Sequence, residues 1–202
     1  VGTMKISVRH MFERRLGLFP VVVSDKHGMY AQTTFADYPF TIPDRKVDFT
    51  KTCIGAGWGL LSYRRPVTAS SSADREHAAE RAADEQVETW WAAATGKKGE
   101  WLQMDLQGRK AVRAVQVNFA DHNATVRAPH PPFIYKYVIE GSADGERWTT
   151  LVDASANAED APHRLHVLPR AAKVRYLRIT SMGDVDGCFS LYDLRVFGKG
   201  EG

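Results

Sequence analysis

The chain has 202 residues, 44% of them hydrophobic and 25% charged, with a formal net charge of +3. That length holds one large domain or a domain plus a fragment, and the composition is that of an ordinary soluble globular protein. Basic residues are interleaved with acids, which argues against a nucleic-acid stripe, and no apolar run approaches the roughly 18 residues of a membrane span.

The first residues already follow a strand pattern, with no charged-then-apolar leader, so we expect a piece of a longer precursor. Residues 5–10 alternate, with Ile6, Val8 and His10 against Lys5, Ser7 and Arg9. A strongly apolar strand is expected over 16–24, with Pro20 at an edge or bulge. The turn at Asp25-Lys26-His27-Gly28 then returns the chain as a second strand over 29–35, a hairpin pattern. A sheet of about three strands is marginal alone. Residues 1–44 therefore need a cover: the rest of the chain, a second copy, or a fragment lying outside it.

Residues 45–65 read as an ordered linker packed by Trp58 and Tyr63. The Gly55-Ala56-Gly57-Trp58-Gly59 run lacks the strand-then-helix frame of a phosphate loop. Cys53 and Cys188 have no metal-ligand spacing, which argues against zinc. Sequence leaves their pairing open, with two free buried thiols the expectation.

From residue 66 the pattern is denser. A short strand is expected over 67–72 and a turn or two of helix over 76–83. Trp90 and Trp91 precede an Ala-Ala-Ala-Thr-Gly segment too short and Gly-punctuated for a stable helix. The run from Trp101 to Leu106 alternates, with Leu102, Met104 and Leu106 on one face. We expect Trp91, Trp101 and Trp148 in the core; Trp90 suits either a core or a recognition surface. Strands are expected over 111–119, with Val115, Val117 and Phe119 aligned, and over 134–140, with Tyr135, Tyr137 and Ile139 aligned. The Asp144-Gly145 pair marks a hairpin turn into a strand over 149–152. Further strands at 164–168, 174–180 and 191–197, with little helix, predict an all-β sandwich.

These residues also carry a family resemblance. The series Thr89-Trp90-Trp91, Gly99-Glu100-Trp101-Leu102-Gln103-Met104-Asp105-Leu106, Gly141-Ser142-Ala143-Asp144-Gly145-Glu146-Arg147-Trp148, Val174-Arg175-Tyr176-Leu177-Arg178-Ile179 and Leu191-Tyr192-Asp193-Leu194-Arg195-Val196-Phe197-Gly198 resembles the discoidin, or coagulation-factor type C, domain over residues 66–198. Family 32 carbohydrate-binding modules belong to the same superfamily. The resemblance implies a jelly-roll-like β-sandwich over 66–202, commonly with a structural calcium and a ligand site in the loops at one end. A second resemblance covers residues 1–44. Residues 6–20, Met29-Tyr30-Ala31 and Asp37-Tyr38-Pro39 resemble the last blade of a family 43 glycoside hydrolase β-propeller. It implies the C-terminal part of a secreted or periplasmic arabinosidase- or xylosidase-like enzyme.

The catalytic carboxylates of that family lie on earlier blades, so no catalytic residue is expected in this chain. Glu13 and Asp25 match no catalytic motif. His10 reads either as a core histidine or, by the resemblance, as a residue of the propeller channel. Arg14 reads as a surface arginine or as a donor lining that pocket. For calcium the resemblance points to Asp84, Thr89 and Asp193, with Asp84-Glu85-Gln86 where the family has Asp-Gly-Asn, so the tight turn lacks its glycine. An ordinary Asp/Thr turn is the other reading. For a sugar it points to His122, Asn123, Arg127 and Phe189, the last as the aromatic platform. Two functions follow: a carbohydrate-binding accessory sandwich of a glycoside hydrolase, or a structural or protein-interaction domain without sugar affinity.

Overall fold

A computed structural model describes residues 58–125 and 132–199 with their side chains and, before them, the backbone of four short strands. Of those four, β1 (Gly2–Met4) pairs antiparallel with β2 (Arg14–Leu16). β3 (Val21–Ser24) pairs antiparallel with β4 (Gly28–Ala31), Ser24 opposite Gly28. This is the hairpin expected around Asp25. The expected strand at 5–10 lies outside the described residues, as does Cys53.

The larger unit is all-β, as expected. Its strands are β5 (Gly59–Leu60), β6 (Val67–Ala69), β7 (Trp91–Ala92), β8 (Trp101–Phe119), β9 (Tyr137–Ser142), β10 (Trp148–Ala154), β11 (His163–Ser181) and β12 (Ser190–Lys199). Every pairing among them is antiparallel. The expected helical turn is a 3-10 segment, Ala79–Ala83.

Sequence reading separates strands 101–106 from 111–119, and 164–168 from 174–180; the structure joins each pair into one 19-residue strand. Gln107 and Gly108 take positive φ at the break in β8, and β11 shifts register between Val167 and Ala172. Each long strand therefore bends and serves two layers. One layer holds β6, the start of β8, the end of β11, β9 and β10. The other holds the end of β8, the start of β11, β12, β7 and β5. Gly59–Leu60, read as linker, is thus a strand of the sandwich.

Alternation fixes what lies between the layers. Leu102, Met104, Leu106, Ile139, Leu177 and Ile179 from one meet Val115, Val117, Phe119, Leu191, Leu194 and Val196 from the other, all fully buried. Trp91 is at 0% exposure and its Nε1–H donates to Ser71 O at 3.0 Å, satisfying the one polar group of the ring.

Trp101 and Trp148 are not core residues, contrary to expectation. Both stand on the outer face of the first layer, partly exposed, with the Arg178 guanidinium between them at 5.1 and 4.1 Å from the ring centroids. Period-two alternation dictates this for Trp101, because Leu102 and Met104 already point inward. The Arg178 guanidinium also donates to Gln103 Oε1.

Candidate functional site

Four connections meet at one end of the sandwich: residues 95–98, 121–125, 132–136 and 183–189. Backbone bonds tie them: Val185 N to Gly96 O at 2.8 Å, Met182 N to Lys136 O at 2.8 Å, and Cys188 N to His122 O at 2.9 Å. Asp186 accepts from the backbone and side chain of Thr125, and Asp184 from Lys97 and the Lys98 backbone. Gly187 permits the close approach. Its φ is +80°, and a Cβ there would lie 2.3 Å from His122 O. Cys188 is buried, and burial pushes its thiol pKa up.

The 121–125 turn aims His122 outward. Asp121 and Asn123 on either side hold φ of +53° and +56°, a conformation that Asp and Asn tolerate better than most residues. Asp121 is buried and accepts from the Tyr135 hydroxyl. The His122 ring lies 4.3 Å from the His77 ring and 5.9 Å from Trp90, and Trp90 Nε1–H donates to His122 Nδ1 at 3.2 Å. His77 lies 4.8 Å from Trp90 and pairs through Nδ1 with Asp74 Oδ1 at 2.7 Å. Burial first, and then the nearby His77, push the His122 pKa down, which favours the uncharged ring. Tyr192 completes the cluster, edge-on to Trp90 at 5.6 Å. It sits where β12 bulges between Leu191 and Asp193, and the extra residue turns its side chain toward Trp90. His77, Trp90, His122 and Tyr192 are all partly exposed. The result is an aromatic surface with polar edges.

Of the expected sugar residues, His122 and Asn123 belong to this end of the sandwich, and Arg127 lies outside the described residues. Phe189 does not serve as a platform. It is at 0% exposure, packed 6.0 Å from both Trp91 and Phe119. Sequence reading missed His77 and Tyr192. The Asp74-x-x-His77 spacing, in which Asp74 Oδ1 accepts the Glu76 and His77 amides, was a usable turn signal; the bulge at Tyr192 left none.

The expected calcium residues lie beside this cluster. Asp84 accepts from the Gln86 amide at 2.9 Å and from the Thr89 hydroxyl at 2.8 and 3.0 Å. The tight turn survives without glycine: Glu85 itself takes φ of +61°. Its carboxylate is gripped by Arg195 Nε at 3.0 Å and Nη2 at 2.5 Å. Asp193 accepts from Asn118 Nδ2 at 3.4 Å through Oδ2. Its Oδ1 is buried and has no hydrogen-bond partner among the described residues. Burial, and then the Glu85 charge, push the Asp193 pKa up to about 7. Among the described residues no three His, Cys, Asp or Glu side chains group as metal ligands. A hard cation, however, also accepts hydroxyl and carbonyl oxygens, and the orphaned Asp193 oxygen fits that donor chemistry. His10 lies outside the described residues. Arg14 is the first residue of β2.

An antiparallel arrangement whose long strands bend through both layers, with loops clustered at one end, defines a class of β-sandwich domain. The F5/8 type C domain family model matches residues 66–193, and the chain belongs to that family. Neuropilin-1 of Xenopus laevis is 23% identical over 190 residues, 89% of this chain and 20% of that protein; the chain spans about a fifth of this curated relative. The chain is similar in fold to chitosan-binding module 2 of a chitosanase/glucanase from Paenibacillus sp. IK-5, solved with chitotriose. That match has 22% identity, 68% of this chain, 99% of that chain and a TM-score of 0.58. It is also similar to the family 32 module of Clostridium perfringens NanJ, solved with galactose, at 17% identity. There 69% of this chain and 98% of that chain are covered, with a TM-score of 0.57.

Proposed function

We propose that residues 58–199 form a carbohydrate-binding module whose sugar site is the surface of His77, Trp90, His122 and Asn123, with Tyr192 as its wall. The observation that carries this is the partly exposed Trp90 ring flanked by two imidazoles. An aromatic ring meets the apolar side of a pyranose, and imidazole edges and an amide take its hydroxyls. The similar modules solved with chitotriose and galactose support this reading. Calcium holds the adjoining turn, with Asp84, Thr89 and Asp193 as its ligands; it would supply charge for the orphaned carboxylate oxygen and rigidity to the Trp90 segment.

The module accompanies a secreted or periplasmic glycoside hydrolase, with residues 1–44 as the last blade of a family 43-like propeller and His10 and Arg14 turned to its channel. The β3–β4 hairpin supports this, as does the similar module that derives from a chitosanase/glucanase. The propeller would supply the catalytic carboxylates and cover the first strands.

A purely structural or protein-interaction role has one observation in its favour: Phe189, the expected stacking ring, is in the core. A glycan array and affinity electrophoresis on the full chain, against the Trp90→Ala/His122→Ala variant, separate the two. Retention on a neutral polysaccharide that the variant loses while folded supports the sugar site. No retention of the wild type on any glycan leaves the structural role.

A further inference from the structure

The opposite end of β9 from the sugar loops carries a second concavity. β9 rises from residue 137 to the turn at 143–147, about 20 Å away at the rise of a strand. There a depression of about 380 Å³ opens between that turn, β10 and the middle of β11. This is within the size range of small-ligand sites.

Its floor is apolar, formed by Leu151, Ala172 and Val174, and its rim carries Arg109, Arg147 and Lys173. The three cations come from three segments: Arg109 from β8 just past its bend, Arg147 from the 143–147 turn, and Lys173 from β11. One carboxylate, Asp144, lies in the lining, and it is already engaged. Its Oδ1 accepts the Glu146 and Arg147 amides at 2.9 Å, and its Oδ2 accepts from Arg147 Nε at 3.1 Å. It therefore shapes the turn and half-neutralises Arg147. The Arg109 and Lys173 side chains have no ion-pair partner among the described residues. Gathered cations repel one another, and an oxyanion among them relieves the repulsion.

We propose that this depression is a second saccharide subsite, selective for a sugar bearing an oxyanion, either carboxylate or sulfate. The apolar floor meets the C–H face of the ring; Arg109 and Lys173 hold the oxyanion, and Thr149 offers a hydroxyl at the rim. The ligand class rests on the carbohydrate-binding reading, whereas the site itself shares no residue with the His122 surface. Two such subsites on one rigid module let a mixed neutral and acidic polysaccharide be held at two points.

The test is affinity electrophoresis of the full chain in gels containing polygalacturonate, dextran sulfate or uncharged dextran, at about 0.15 M salt to screen loose surface charge. The expected result is retardation by polygalacturonate, by dextran sulfate or by both, which also identifies the oxyanion, and none beyond that of uncharged dextran otherwise. Arg109→Ala/Lys173→Ala should weaken it at least tenfold, while Arg64→Ala/Arg75→Ala, which removes equal charge elsewhere, leaves it in place. Equal losses in both double variants would reduce the effect to general basicity and overturn the proposal, as would no retardation by either acidic polymer. Neutral-glycan binding through Trp90 and His122 is unaffected by Arg109→Ala/Lys173→Ala, so failure of one site is distinguishable from failure of the other.

Discussion

Glu85 and Arg195, 110 positions apart in sequence, close on each other through two hydrogen bonds, and this pair holds Glu85 in a left-handed conformation where glycine would be unstrained. Arg195 is 7% exposed. Glu85→Gly removes backbone strain of about 1–2 kcal/mol but withdraws a carboxylate from a buried guanidinium, a loss of about 3–5 kcal/mol. The loss wins. Urea unfolding should show Glu85→Gly destabilised by about 2 kcal/mol, and Glu85→Gly/Arg195→Met less so. A Glu85→Gly variant more stable than the wild type would mean that strain, and not the ion pair, dominates this turn.

Trp91 and Trp148 should separate cleanly. Trp91 fills the space between the layers, and Trp91→Ala is expected to cost about 3–5 kcal/mol. Trp148 stands on the outer face against Arg178, where losing the ring removes a cation–π contact of about 0.5–2 kcal/mol and some covered surface. Chemical denaturation of both variants checks the order.

Added calcium should raise the melting temperature and chelator lower it. Binding to the folded state alone adds about 2.7 kcal/mol at a hundredfold excess over the dissociation constant. Asp84→Ala should abolish the difference. Superimposable wild-type melts in calcium and chelator would remove the metal.

The Tyr137–His166 contact predicts an acid-side weakening. Tyr137 OH and His166 Nε2 are 2.7 Å apart, and burial, with Arg164 nearby, lowers the His166 pKa from 6.5 to about 4. The unfolded chain then binds a proton that the folded chain refuses between those values. Stability from this group is complete above pH 6.5 and declines as pH falls toward about 4. In His166→Gln the part of the pH dependence in that window should flatten.

Much of this fold is legible in sequence because alternation is physical. Leu102, Met104 and Leu106 point inward for the same reason that Trp101 cannot. The Asp144-Gly145 turn was equally readable, and Gly145 has φ of +85°. Continuity was not. Whether 101–106 and 111–119 are two strands or one bent strand depends on partners in β11 and β12, which no local window contains. The candidate site was half legible. His122 lies in a turn whose Asp and Asn announce it. Phe189 failed because large aromatic residues suit a core and a platform alike, and only packing against Trp91 and Phe119 decides. Tyr192 owes its direction to a bulge with no local composition signal.

The two bent strands also set the order in which the molecule can assemble. β8 and β11 must find each other with Thr180 opposite Trp101 at one end and His163 opposite Asn118 at the other, and neither layer has its middle until they do. Loop closure over such separations is entropically unfavourable before any contact rewards it, which places folding in the slow, millisecond-to-second regime of non-local β topologies. During that interval the apolar faces of both long strands are bare. A nascent chain of this kind gains from a neighbouring domain that folds first and leaves it tethered, dilute and out of reach of its own copies.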